Sequence, residues 1–132
     1  MLYLLCFGNP YLDEDNLALQ VADLIVKDRI KGLEVVKCVS PDEILSYTGK
    51  EFFILDVAQG AKEATLIDNI DRLKSASMVS LHDFDLGFFL KLMKETGKLD
   101  KVRIICIPQK GDIKKIKQQV LTLLPIPHPR SA

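Results

Sequence analysis

The chain has 132 residues, nearly half of them apolar and about a quarter charged, which suits one ordinary globular domain rather than a disordered or disulfide-stapled chain. Lysine plus arginine equals aspartate plus glutamate, 18 against 18, so no net field favours nucleic acid or an anionic membrane as a partner. Cys6, Cys38 and Cys106 are odd in number and widely spaced, each in an apolar run, which predicts buried free thiols and a reducing, cytoplasmic compartment.

The first apolar run, Met1 to Phe7, has no basic leader and is cut by Gly8-Asn9-Pro10, so a signal peptide is not expected. No run approaches the length of a membrane span. Within it, Leu2 to Phe7 (LYLLCF) has the pattern of a central strand buried on both faces. Asp13 or Asp15 can then cap a helix whose apolar positions Leu17, Val21, Leu24 and Ile25 keep a 3.6-residue period to about Arg29, closed by Lys31-Gly32.

Leu33 to Val39 predicts a second strand. Ser40-Pro41-Asp42-Glu43 combines a capping box with a proline at the first helical position, so a short helix through Tyr47 is expected. Phe52 to Val57 (FFILDV) repeats the buried-strand pattern with an aspartate near its end, and Thr65 to Ile67 reads as a short edge strand. Met78 to Leu81 is too brief to assign. Leu86, Phe89, Leu90 and Met93 mark an amphipathic helix from Asp83 to near Gly97, and Val102 to Ile107 (VRIICI) is a further buried strand ended by Pro108.

Ile113, Ile116, Val120, Leu123 and Leu124 define the last helix. The basic stretch Lys110 to Lys117 interleaves lysines with aliphatic positions and offers no aromatic for base stacking, so it reads as a solvated helix face. Residues 1–124 form the predicted domain, and 125–132 (PIPHPRSA) a proline-rich tail expected to be extended or disordered.

Strands alternating with helices predict an α/β fold: a three-layer α/β/α arrangement around a mostly parallel twisted sheet of about five strands. Such sheets bind ligands outside the carboxyl ends of their strands. Three residues with chemistry fall there, or lead there: Asp15 after the first strand, Asp56 at the end of the third, and His82 ahead of the later helix. Two carboxylates and an imidazole form a mixed oxygen and nitrogen set suited to nickel, zinc or iron, with positions left open for substrate or water.

Taken singly, each has a plainer explanation. Asp15 can be a first-turn acid favoured by the helix macrodipole, and Glu14 beside it is no more specific. His82 alone is more often solvated than ligating, and His128 sits in the tail. Asp56 is harder to dismiss, because a carboxylate ending an FFIL run is costly to desolvate without a partner. The Gly8-Asn9-Pro10 turn allows close backbone approach to a ligand. Neither a G-x-G-x-x-G nor a Walker A sequence is present, and no G-x-S-x-G elbow appears.

In combination, LLCFGNPYLDED, FFILDVA and VSLHDFDLGFFLKLMKETGKLDKVRIICIPQ resemble, in that order, three segments of the hydrogenase maturation endopeptidases. Those enzymes remove the C-terminal extension of the nickel-iron hydrogenase large subunit after nickel insertion. The resemblance covers about Met1 to Gln109. It implies that Asp15, Asp56 and His82 are the metal-contacting and catalytic residues, and that the sheet carries one antiparallel strand.

It also implies an aspartic-type endopeptidase activity and a hydrogenase large-subunit precursor as the partner. Nickel would be supplied by that precursor, with cadmium or zinc able to occupy the same place. A monomer is expected. The rival reading is a non-catalytic metal-checking or chaperone module, motivated by CVSPDEI standing where the family has a glycine-rich segment.

Overall fold

The structure is a computed structural model that describes residues 1–8, 16–39, 41–47, 49–68, 79–80 and 103–126. Its sheet is built from β1 (Leu2–Phe7), β2 (Leu33–Cys38), β3 (Glu51–Gln59), β4 (Thr65–Ile67), β5 (Val79–Ser80) and β6 (Ile104–Ile107). The order is β2-β1-β3-β6-β4, with β5 pairing antiparallel to the end of β3. β2, β1, β3 and β6 run parallel, and β4 closes one edge antiparallel to β6. This is the mostly parallel α/β sheet that the sequence predicts, with Thr65–Ile67 at an edge. β1 lies inside the sheet, although β3 is its midpoint.

The buried strands divide their side chains between two layers, as a period of two requires. Leu4 and Cys6 of β1, Leu55 and Val57 of β3, and Ile105 and Ile107 of β6 face a layer formed with α1 (Leu17–Lys27) and α2 (Ile113–Leu123). Leu5, Phe7, Ile54 and Cys106 face the other way, against Ile44 and Tyr47 of the segment Pro41–Tyr47. Both helices therefore cover one face of the sheet. The helix predicted from Asp83 to Gly97 lies outside the described residues.

α1 presents Leu17, Ala18, Val21, Ala22 and Ile25 to the core, the predicted stripe. Its N-cap is Asn16 rather than Asp13 or Asp15. Asn16 makes no side-chain capping bond, and its carbonyl accepts from the amides of Leu19 and Gln20 at 3.1 Å each. α2 starts with a stronger signal: Asp112 is extended and its carboxylate accepts from the amide of Lys114 at 3.0 Å. Lys117 on α2 meets Asp28 after α1 at 2.9 Å, tying the two helices together. Past α2, Leu124 is buried and Ile126 packs against the same layer.

Pro41–Tyr47 is the short helix that the sequence predicts, wound as a 3₁₀ helix. The Glu43 carboxylate reaches past the expected position and accepts from the amide of Val39 at 2.6 Å. That contact draws the chain into tight turns of the kind tolerated in short pieces. It also ends β2 at Cys38, one residue before the predicted boundary.

Candidate functional site

β3 decides where the chemistry sits. Its residues 53–58 are all buried, so Asp56 is carried into the interior by the hydrophobic run around it. It is 1% exposed and is the one charged side chain among the described residues that is buried. Leu55 and Val57 point to the helical layer, which turns Asp56, between them, to the opposite face.

The pairing registers set a row of neighbours on that face. Asp56 lies directly opposite Cys106 of β6, and Cys106 opposite Thr65 of β4. The β1–β3 register ends at Cys6 and Leu55, which brings Phe7 level with Asp56. Phe7 in turn lies opposite Cys38. The row Cys38, Phe7, Asp56, Cys106, Thr65 thus crosses the sheet close to the carboxyl ends of β2, β1 and β6. This is the rim at which parallel sheets bind ligands.

The thiols beside Asp56 are neutral. Burial, and then the nearby Asp56 carboxylate, push the Cys106 thiol up to about 12. Burial and Glu43 raise Cys38 to about 12 as well. Burial raises Cys6 further, with Cys38 as the next cause. All three cysteines are free and buried, as their apolar settings predict, and none has the lowered thiol pKa of a nucleophile. The row therefore sets the Asp56 side chain between an aromatic ring and a protonated thiol.

Asp56 takes part in interactions within the protein, and a carboxylate has about four acceptor positions on its two oxygens. Of the three predicted ligands the structure describes Asp56; Asp15 and His82 lie outside the described residues, as do Glu14, Asn9 and His128. Among the described residues no cluster of three or more histidine, cysteine, aspartate or glutamate side chains could hold a metal ion. Sequence reasoning placed Cys106 in a buried strand but not beside Asp56. That proximity depends on the strand order, for which no local signal exists.

The rim is pinned from the helical side. The Gln119 side-chain oxygen on α2 accepts from the amide of Ala64 at 3.0 Å, fixing the turn between β3 and β4. Gly60 opens this turn with φ 94°, a left-handed conformation that glycine adopts at little cost. The connection from β6 to α2 leaves the same rim between β3 and β4, with Pro108 buried and Lys110 exposed.

No protein-family model matches the sequence, and no curated protein matches it. Solved structures do. The [NiFe] hydrogenase maturation protease HybD from Thermococcus kodakarensis superposes with a TM-score of 0.64 at 19% identity, covering 89% of this chain and 92% of that one. The Hydrogenase 3 Maturation protease superposes with a TM-score of 0.64 at 19% identity, covering 91% and 86%. The chain has the fold of the hydrogenase maturation proteases. In both cases the agreement extends over most of the two chains. No described helix is long and apolar enough to cross a membrane.

Proposed function

We propose that the chain is an endopeptidase that removes the C-terminal extension of a nickel-iron hydrogenase large-subunit precursor after nickel insertion, working in the cytoplasm. The observation that carries this reading is Asp56, a carboxylate 1% exposed at the carboxyl rim of the middle strand, in a fold shared with solved maturation proteases. The ordered segments LLCFGNPYLDED, FFILDVA and VSLHDFDLG support it independently of the fold.

In this reading the nickel belongs to the substrate. Asp15, Asp56 and His82 contact the nickel already seated in the precursor, so a precursor without metal lacks its anchor and its tail is not held. The chemistry of two carboxylates and an imidazole fits a divalent ion of borderline softness. Burial of Asp56 among Phe7, Ile54 and Cys106 lowers the local dielectric, which strengthens the attraction between its charge and a cation.

Incubation with nickel-loaded and nickel-free precursor tests the proposal, with product read by intact mass. Cleavage of the loaded form alone is expected. Tight binding of the loaded precursor with no mass loss replaces the peptidase with the chaperone reading. Equal cleavage of both forms removes the role of nickel.

A further inference from the structure

A second feature lies on the outer edge of the sheet and goes beyond the proposed peptidase activity. β2 ends the strand order, so its outer backbone edge is unpaired among the described residues. Beside it, between α1 and β2, is a groove of about 250 Å3. Its lining includes Ile25, which is buried, and Ile30, Leu33 and Val35, which are partly buried against the core. Val26, 53% exposed, and Arg29 border the same groove.

The charge around this groove is one-sided. Lys27, Arg29 and Lys31 are all exposed, and none of the three forms an ion pair among the described residues. Asp28 is occupied by Lys117, and Asp23 further up the helix by Lys37. Glu34 is the one acid lining the groove. Lys27 is explained by the macrodipole at the end of α1, but Lys31 lies beyond the helix and Arg29 borders the groove in a left-handed conformation, φ 48°.

We propose that the β2 edge and this groove form a docking surface for an extended, acidic peptide segment of a partner protein. The segment adds a strand alongside Leu33–Lys37. Its apolar side chains enter the groove, and the carboxylates that flank them on the same face of the added strand meet Lys27, Arg29 and Lys31. This mode joins main-chain hydrogen bonding, which is general, to pocket and charge contacts, which select the sequence. The concave groove favours an inserted side chain over a flat membrane surface, for which a raised apolar face is needed.

The test is amide chemical-shift mapping of the full chain with the probe peptide acetyl-ETVTITE-amide, whose acids share one face with its valine and isoleucine, and its lysine counterpart acetyl-KTVTITK-amide. Shifts at Leu33 to Lys37 and at Ile25 and Val26 are expected with the acidic probe alone. A Lys27→Glu, Arg29→Glu, Lys31→Glu variant, folded by its circular dichroism, should weaken that binding at least fivefold. Equal shifts with both probes, or none with either, overturn the proposal. So does binding of phosphatidylglycerol vesicles in place of the peptide. A doubled mass without peptide, abolished by Val35→Lys, overturns it in favour of a second copy of the chain. The probe contains no nickel or scissile precursor, so these outcomes are independent of the peptidase assay.

Discussion

Asp56 and Cys106 stand directly opposite each other on neighbouring parallel strands and share the face turned away from the two helices. A charged group and a thiol kept neutral by burial and by that charge are thus neighbours in an otherwise apolar row. Asp56→Asn keeps the size of the side chain and removes its charge. On the proposed reading, it should lower cleavage of nickel-loaded precursor by about 10²-fold or more, the scale of losing one positioned catalytic group. The urea midpoint measured alongside reports folding separately. Unchanged cleavage would remove Asp56 from the site.

The thiols predict a specific alkaline behaviour. Cys38 and Cys106 are raised from an ordinary value of 9.0 to about 12, mainly by burial. In the unfolded chain these thiols ionise near 9, while in the folded chain they hold their protons to about 12. The unfolded state therefore binds fewer protons in that window. Their contribution to stability is complete below pH 9 and is lost as pH rises toward 12. The urea midpoint should fall across that range, and Cys106→Val should flatten the fall. At pH 8 the native protein should react with a thiol reagent only as fast as it opens, and fully in denaturant.

Much of this fold was legible because the strands are buried on both faces. LYLLCF, FFILDV and IICI admit few readings other than interior strands, and the 3.6-residue stripes of α1 and α2 leave their buried faces unambiguous. Ile105, fully buried beneath the helices, should therefore be costly to shorten. Ile105→Ala should lower stability by about 2–5 kcal/mol. Val39→Ser, at a position 81% exposed, should change it by no more than about 0.5 kcal/mol. Urea denaturation of both variants checks the contrast.

What the sequence concealed follows from non-local geometry. The 3₁₀ winding of Pro41–Tyr47 goes with a bond from the Val39 amide to the Glu43 carboxylate, a detail of one residue that a motif cannot express. The placement of Cys106 beside Asp56 depends on strand order. The bond from Ala64 to Gln119, 55 residues apart, is of the same kind. Gln119→Leu should remove it at a cost of about 1 kcal/mol. The Ala64 amide should then exchange faster with solvent while the amides of β3 keep their protection, and unchanged exchange at Ala64 would show that the turn is held by other contacts.

Arg29 predicts a separation of stability from docking. Its φ of 48° costs a residue with a Cβ about 1–2 kcal/mol, and glycine avoids that cost. Glycine also enlarges the entropy of the unfolded chain, worth about 0.4–1 kcal/mol in the opposite sense. The balance favours glycine, so Arg29→Gly should raise stability by about 0.5 kcal/mol, whereas Arg29→Ala keeps the strained backbone and should give no gain. The arginine's charge is lost in both variants. Both should therefore bind the acidic probe peptide more weakly, although only the glycine variant unfolds at higher urea. A glycine variant that is less stable than the parent would mean that the Arg29 side chain contributes more to the folded state, through its contact with the groove, than its backbone conformation costs.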